Sequence, residues 1–159
     1  DFTEFIKSLP FRLTKDQLKV INEIKNDLSK PIQARRVIIG DVGSGKTIVM
    51  LATAFMSKKA IIMCPTSILA NQIYEEANKF LKKFNFKITL VTQKSKFTQD
   101  DLKDSNLLIG THAILYQDLP IYNTIIVDEQ HRFGTNQRAK LEKLVSKEKK
   151  VPHYFQFSA

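Results

Sequence analysis

Residues 40–47, reading Gly-Asp-Val-Gly-Ser-Gly-Lys-Thr, restrict this chain more than any other stretch. Arg35-Arg36-Val37-Ile38-Ile39 precedes them and reads as a buried strand. Ile48 to Met56 follows and reads as a helix. Glycines between a strand and a helix let successive backbone N–H groups turn inward. Gly43 and Gly45 can take positive φ for this purpose. The helix start aims its unpaired N–H groups at the same point, so the loop suits an anion. The glycine, lysine and hydroxyl spacing is that of a triphosphate cradle. Gly40, Asp41, Val42, Gly43, Ser44 and Gly45 supply its backbone, Lys46 its charge toward the β and γ phosphates, and Thr47 a hydroxyl placed to ligate Mg2+.

A second constellation stands 82 positions after Lys46. Ile125-Ile126-Val127 reads as a buried strand, and Asp128-Glu129 sits at its carboxyl end, the edge where open parallel sheets bind ligands. Adjacent acids at a strand end are ordinary turn residues when alone. Beside a triphosphate loop they divide by charge: Asp128 holds the metal, and Glu129 polarises the water that attacks the γ phosphate.

Between these two points the chain alternates. Thr14-Lys15-Asp16-Gln17 has the form of a capping box, and Leu18, Ile21, Ile24 and Leu28 recur at helical spacing up to about Ser29. Gln17 is first of all a cap partner, although its amide also offers a donor and an acceptor to the edge of an adenine. Ala60 to Cys64, Phe86 to Val91, Asn106 to Gly110, Tyr122 to Val127 and Tyr154 to Phe157 read as further strands. Ser67 to Phe84 and Gln137 to Val145 read as helices, and Thr98 with Asp101 caps a short one. Apolar runs separated by helices predict an α/β fold, a parallel sheet with helices on both faces. With 159 residues there is room for one such domain.

Composition narrows the function. No apolar run reaches the 18 residues of a membrane span, and Asp1 to Lys7 lacks the apolar core of a secretory signal, so a soluble, cytoplasmic protein is expected. The single cysteine, Cys64, cannot form an internal disulfide, and its apolar surroundings mark a core thiol. The histidines at 112, 131 and 153 form no cluster with it, so no structural metal is expected. The net charge of +9 fits a polyanionic partner, and it fits equally the solvated faces of lysine-rich helices.

Five stretches in order resemble motifs I, Ia, Ib, II and the opening of III of superfamily 2 helicases. They are GDVGSGKT, PTSILANQ (residues 65–72), GTHAIL (110–115), DEQHRFG (128–134) and FSA (157–159). With LPFRLTKDQ upstream of the loop, the DEQHRFG form is most similar to the RecG-like branch, whose members are ATP-dependent, branch-migrating DNA helicases. The related translocases that couple transcription to repair usually carry a second acid at the position of Gln130.

The resemblance implies a RecA-like P-loop NTPase lobe over residues 1–159, cut within motif III, with a second lobe and a DNA-splitting wedge lying outside it. It implies ATP and Mg2+ as cofactors and forked or branched duplex DNA as partner. A bacterial, monomeric enzyme of recombination and repair follows from the same likeness. Phe11 and Gln17 match the adenine-recognition element. Thr66 and Thr111 fall where relatives touch DNA phosphates, and each also suits a helix start. His131 and Ser158 match positions that couple hydrolysis to DNA movement, and Arg132 matches the extended second box. His112 and His153 have no comparable role and read as ordinary surface or packing residues. The strand carrying Phe155 and Phe157 is expected between the strand before the loop and the strand before Asp128.

Two other classes share single features. A P-loop GTPase or small-molecule kinase needs only the loop, but the chain has no Asn-Lys-x-Asp guanine box and its acid pair suits water attack. A nucleotide-independent DNA-binding module needs only the +9 charge.

Overall fold

The computed structural model describes residues 2–39, 44–128, 135–145 and 151–158, apart from the side chains of Ser44 and Thr135. The helices are α1 (Phe2–Ser8), α2 (Lys15–Ser29), α3 (Ser44–Ser57), α4 (Ser67–Leu81), α5 (Gln99–Asp104) and α6 (Thr135–Val145). The strands are β1 (Arg35–Ile39), β2 (Ala60–Met63), β3 (Ile88–Val91), β4 (Leu107–Gly110), β5 (Thr124–Asp128) and β6 (His153–Ser158).

The described strands form a six-stranded sheet in the order β1-β6-β5-β2-β4-β3. Every pairing is parallel, so all six carboxyl ends lie along one edge. The β6 strand sits between β1 and β5 as expected, and Phe155 and Phe157 are buried at 0% and 1% exposure. Two apolar clusters cover the two faces. On one side Ile62, Ile109, Ile126 and Phe155 pack against α1 to α4. On the other Ile61, Leu108, Ile125 and Tyr154 pack against Leu102 of α5, Leu141 and Val145 of α6, and the 3-10 turn His112–Tyr116.

The capping boxes are formed as read. Thr14 and Thr98 each accept from the backbone N–H three residues on, and Gln17 and Asp101 return the bond to the cap backbone. Thr66 also caps α4 through a bond from the Leu69 N–H. Cys64 is fully buried, in keeping with a core thiol.

The structure corrects the sequence reading at four places. β1 is the edge strand, not a buried one, and its exposure alternates, with Val37 at 59% and Ile39 at 77%. Periodicity reports the faces of a strand but not its neighbours, so an apolar edge strand reads like a central one. α3 begins at Ser44 and therefore includes Gly45, Lys46 and Thr47, which lack the apolar spacing that announced the helix. Gly45 is thus helical rather than at positive φ. α4 ends at Leu81 and tightens into a 3-10 turn, closed by Asn85 at φ 58.

α1 was not anticipated at all. Seven residues are too few for a stable isolated helix. It is held by Phe5, fully buried, whose ring stacks on Phe55 at 4.9 Å and meets Phe84 edge-on at 6.2 Å.

The edge strand is tied to α2 by charge. Arg36 donates from Nε to Asp27 Oδ2 at 2.6 Å, from Nη2 to Asp27 Oδ1 at 3.1 Å, and from Nη1 to Glu23 Oε2 at 3.2 Å. The hydrogen bond from Arg36 is the main reason the Asp27 carboxyl titrates below its ordinary 3.8; burial opposes the shift and the guanidinium charge adds to it. A depressed carboxyl contributes stability that is complete above the unfolded value and lost as pH falls through the folded one. With Arg36 half-exposed, Asp27→Asn is expected to cost about 1 kcal/mol at neutral pH. Urea titrations should show this difference from wild type shrinking toward zero as the pH drops below 3.8; a difference that is constant with pH would rule the pair out as its cause.

Candidate nucleotide and nucleic-acid site

The first turn of α3 carries Gly45, Lys46 and Thr47, and Asp128 is the last residue of β5. β6 separates β1 from β5, yet the register leaves the three strand ends level: Ile39 pairs with Ser158, and Asp128 with Phe157. Lys46 therefore reaches across the top of β6, and its Nζ donates to Asp128 Oδ1 at 2.9 Å. Both side chains are nearly buried, at 12% and 6% exposure. Isolated charges at such depth are costly, so each group requires the other or a charged ligand in its place.

Gln17 links this point to α2. Its Oε1 accepts from the Thr14 N–H at 2.8 Å, completing the cap, while its Nε2 donates to the Gly45 carbonyl at 3.2 Å. Each end of the amide thus makes one bond, one within the cap and one to the first turn of α3. Gly45 lets the Gln17 amide come close: a Cβ there would lie 2.9 Å from Gln17 Nε2, and the flexible glutamine side chain would have to move away. A cleft of about 650 Å³ opens beside these groups, walled by Gln17, Gly45, Lys46, Ile39 and Ser158. Its size suits a nucleotide-sized ligand. Asp16, Lys19 and Glu23 of α2 complete the wall. Sequence reading passed over these three, although their spacing puts them on the polar side of α2, away from the buried Ile21 and Ile24.

Phe11 is placed differently. It does not line the cleft, and its half-exposed ring meets Phe80 of α4 edge-on at 5.9 Å. A second cleft of about 580 Å³, walled by Phe2, Phe55, Phe84 and Lys58 among others, contains none of the candidate site residues.

Farther along the same edge, β2 and β4 are neighbours, and the Cys64 N–H donates to the Gly110 carbonyl at 2.7 Å. The segments bearing Thr66 and Thr111 therefore leave the sheet side by side. Thr66 Oγ1 accepts from Leu69 N at 3.2 Å and Thr111 Oγ1 from Ala113 N at 3.4 Å, so each hydroxyl caps a turn. Gly110 fixes this exit, because a Cβ there would run into the Val91 carbonyl and Ile114.

Burial pushes the Cys64 thiol up to about 12; the Asp128 charge adds to the shift and Lys46 opposes it, so the thiol stays protonated at neutral pH and is no nucleophile. His153 Nδ1 accepts from the Ala34 N–H at 2.9 Å, a packing role that ties β6 to the chain entering β1. Of the residues named from sequence, Gly40, Asp41, Val42, Gly43, the Ser44 side chain, Glu129, His131 and Arg132 lie outside the described residues. Among the described residues no group of three or more His, Cys, Asp or Glu side chains is placed to hold a metal ion.

Comparison with known proteins agrees with the helicase resemblance. A family model described as DEAD/DEAH box helicase matches residues 14–159. The ATP-dependent DNA helicase RecG of Helicobacter pylori strain J99 is 48% identical over 162 residues, covering 98% of this chain and 26% of that protein. A solved structure of RecG bound to a three-way DNA junction superposes with a TM-score of 0.79 at 32% identity, over 99% of this chain and 22% of that one. Saccharomyces cerevisiae Dbp5 bound to RNA and ADP BeF3 shares the fold, with a TM-score of 0.73 at 19% identity over 99% of this chain and 44% of that one. The chain thus spans about a quarter of the length of the RecG relative. By its sequence over residues 14–159, the chain belongs to the DEAD/DEAH box helicase family.

Proposed function

We propose that this chain is the first RecA-like motor lobe of a RecG-type DNA helicase, which spends ATP to drive branch migration and fork regression on forked or branched duplex DNA. The observation that carries the reading is the 2.9 Å contact between Lys46 Nζ and Asp128 Oδ1, which joins the loop lysine to the acid of the second box. In this reading Lys46 exchanges Asp128 for the β and γ phosphate oxygens, and the N–H groups at the start of α3 hold the same oxygens. Gln17 presents the second N–H and the second lone pair of its amide to the adenine edge while still capping α2.

The donor set suits Mg2+. A hydroxyl and one carboxylate, with no all-protein cage among the described residues, is how this ion is held when phosphates supply the other oxygens. Thr47 and Asp128 would hold it, and it would supply neutralisation of the charge that builds on the phosphates. Glu129, next in sequence to Asp128, orients the attacking water and takes its proton. Ser158 lines the cleft beside Lys46, which suits a role with His131 in reporting the state of the γ phosphate. Thr66 and Thr111, capping turns that leave adjacent strands, offer N–H groups and hydroxyls to the phosphates of one DNA strand. The enzyme works as a cytoplasmic monomer without disulfide or structural metal.

A second lobe completes the site in this proposal. Its arginine finger is worth about 10³ to 10⁵ in rate, so residues 1–159 alone are expected to hydrolyse ATP near background, with or without branched DNA. Robust DNA-stimulated turnover from this lobe would overturn the division of labour. In the full-length helicase, Glu129→Gln should retain ATP binding and lose about 100-fold or more in hydrolysis; an undiminished rate would remove Glu129 from the chemistry.

Gln17→Glu separates the two roles of that side chain. Glutamate keeps the acceptor for the Thr14 N–H but cannot donate to the Gly45 carbonyl, so the cap should survive while the tie to α3 is lost, and the thermal midpoint should fall by about 2 to 4 °C. ATP affinity, followed by titration with a fluorescent analogue, should fall about tenfold or more as an anion replaces the amide donor. Unchanged affinity would leave Gln17 a cap residue only.

A further inference from the structure

Tyr116 is the most exposed large hydrophobic side chain among the described residues, at 79%. Its position is built rather than incidental. The 3-10 turn that follows Thr111 is anchored by Ile114 and Leu115, both buried, and the Gln117 amide locks its end by donating to the Ala113 carbonyl at 3.2 Å. Against one face of the Tyr116 ring lies Lys140 of α6, its Nζ 4.7 Å from the ring centroid. Leu141, the next residue of α6, is buried in the same cluster as Ile114 and Leu115, so ring and amine are supported from a common core. The described part of α6 carries Arg138, Lys140 and Lys143 against one acid, Glu142, which already faces Arg35 at 3.5 Å and Arg138 at 3.6 Å.

An open aromatic face backed by a cation, on a basic helix, matches the chemistry of single-stranded nucleic acid: bases have faces that stack and a backbone that is anionic. We propose that Tyr116 and Lys140 form a stacking platform for an unpaired nucleotide of the DNA, the base lying on the open face of the ring and its phosphate near the amine. The platform continues the carboxyl edge on which Thr111 starts its turn. It rests on the DNA-motor reading, to which it adds a site for the unpaired bases at a fork.

The test is fluorescence anisotropy with the full-length helicase, on forked DNA bearing a single-stranded arm and on blunt duplex, across a salt series. Tyr116→Ala should weaken fork binding about tenfold with little change in salt slope, and blunt-duplex binding far less. Tyr116→Phe should bind as wild type, since the ring rather than the hydroxyl acts. Lys140→Gln should lower the log–log salt slope by about 0.7 to 0.9, one phosphate contact. Thermal midpoints equal to wild type would show that these losses are local. Fork binding by Tyr116→Ala equal to wild type, or an equal loss on both DNAs, overturns the platform. DNA-stimulated ATPase of the wild type tests the motor reading separately: its absence, with the Tyr116→Ala fork defect still present, would sink the motor and leave the platform standing.

Discussion

The buried contact between Lys46 and Asp128 is the constraint that the rest of the structure must satisfy. Leaving either charge alone at that depth costs about 3 to 5 kcal/mol, so the two ends must meet closely or not be charged. They come from residues 82 apart in sequence and from segments separated by β6 in the sheet. Three features make the meeting possible. All pairings are parallel, which collects the carboxyl ends on one edge. The register of β1, β6 and β5 leaves those ends level. The early start of α3 at Ser44 brings Lys46 into its first turn, over the edge rather than beside it.

Gln17 adds a second tie to the same place. Because one amide both caps α2 and holds the Gly45 carbonyl, α2 cannot shift relative to α3 without breaking a bond at the first turn of α3. Arg36 fixes the other side of α2 to β1 through Asp27 and Glu23. α2 is thus fastened to both elements that flank the loop, β1 before it and α3 after it. The cleft between them is walled by elements whose relative positions are set by hydrogen bonds with defined geometry, not by apolar contact alone.

Much of this was legible before any coordinates. Six apolar runs became six strands, and the capping boxes at Thr14 and Thr98 formed as their residue types require. Strand order was legible only through family resemblance, since alternation of hydrophobic residues states nothing about lateral neighbours. The same blindness made β1 look buried when it is an edge. α1 went unread because its stability comes from Phe5 packing against rings 50 and 79 positions away, Phe55 and Phe84, rather than from its own seven residues. Gly45 lies in the first turn of α3 and not in a left-handed turn, and what its missing side chain allows is the close approach of the Gln17 amide. Tyr116 and Lys140 carried no sequence signal, as nothing in either segment announces that a 3-10 turn and a helix will bring them together.

The two halves of the carboxyl edge are closer than the separation of their motifs suggests. β2 pairs with β5, and Met63 stands opposite Val127, so Cys64 and Asp128 follow as neighbours at the strand ends. The charges of Asp128 and Lys46 are felt at the Cys64 thiol, which is fully buried. One residue past Cys64 come Pro65 and then Thr66, and the Cys64 N–H is bonded to Gly110, the residue before Thr111. Gly110 in turn is packed so closely against Val91 and Ile114 that a single added methyl would not fit. A close-packed interior yields little to a local shift. Cys64 thus follows Met63 at the strand end beside Asp128, and it stands two residues from Thr66 and one hydrogen bond from the segment that bears Thr111.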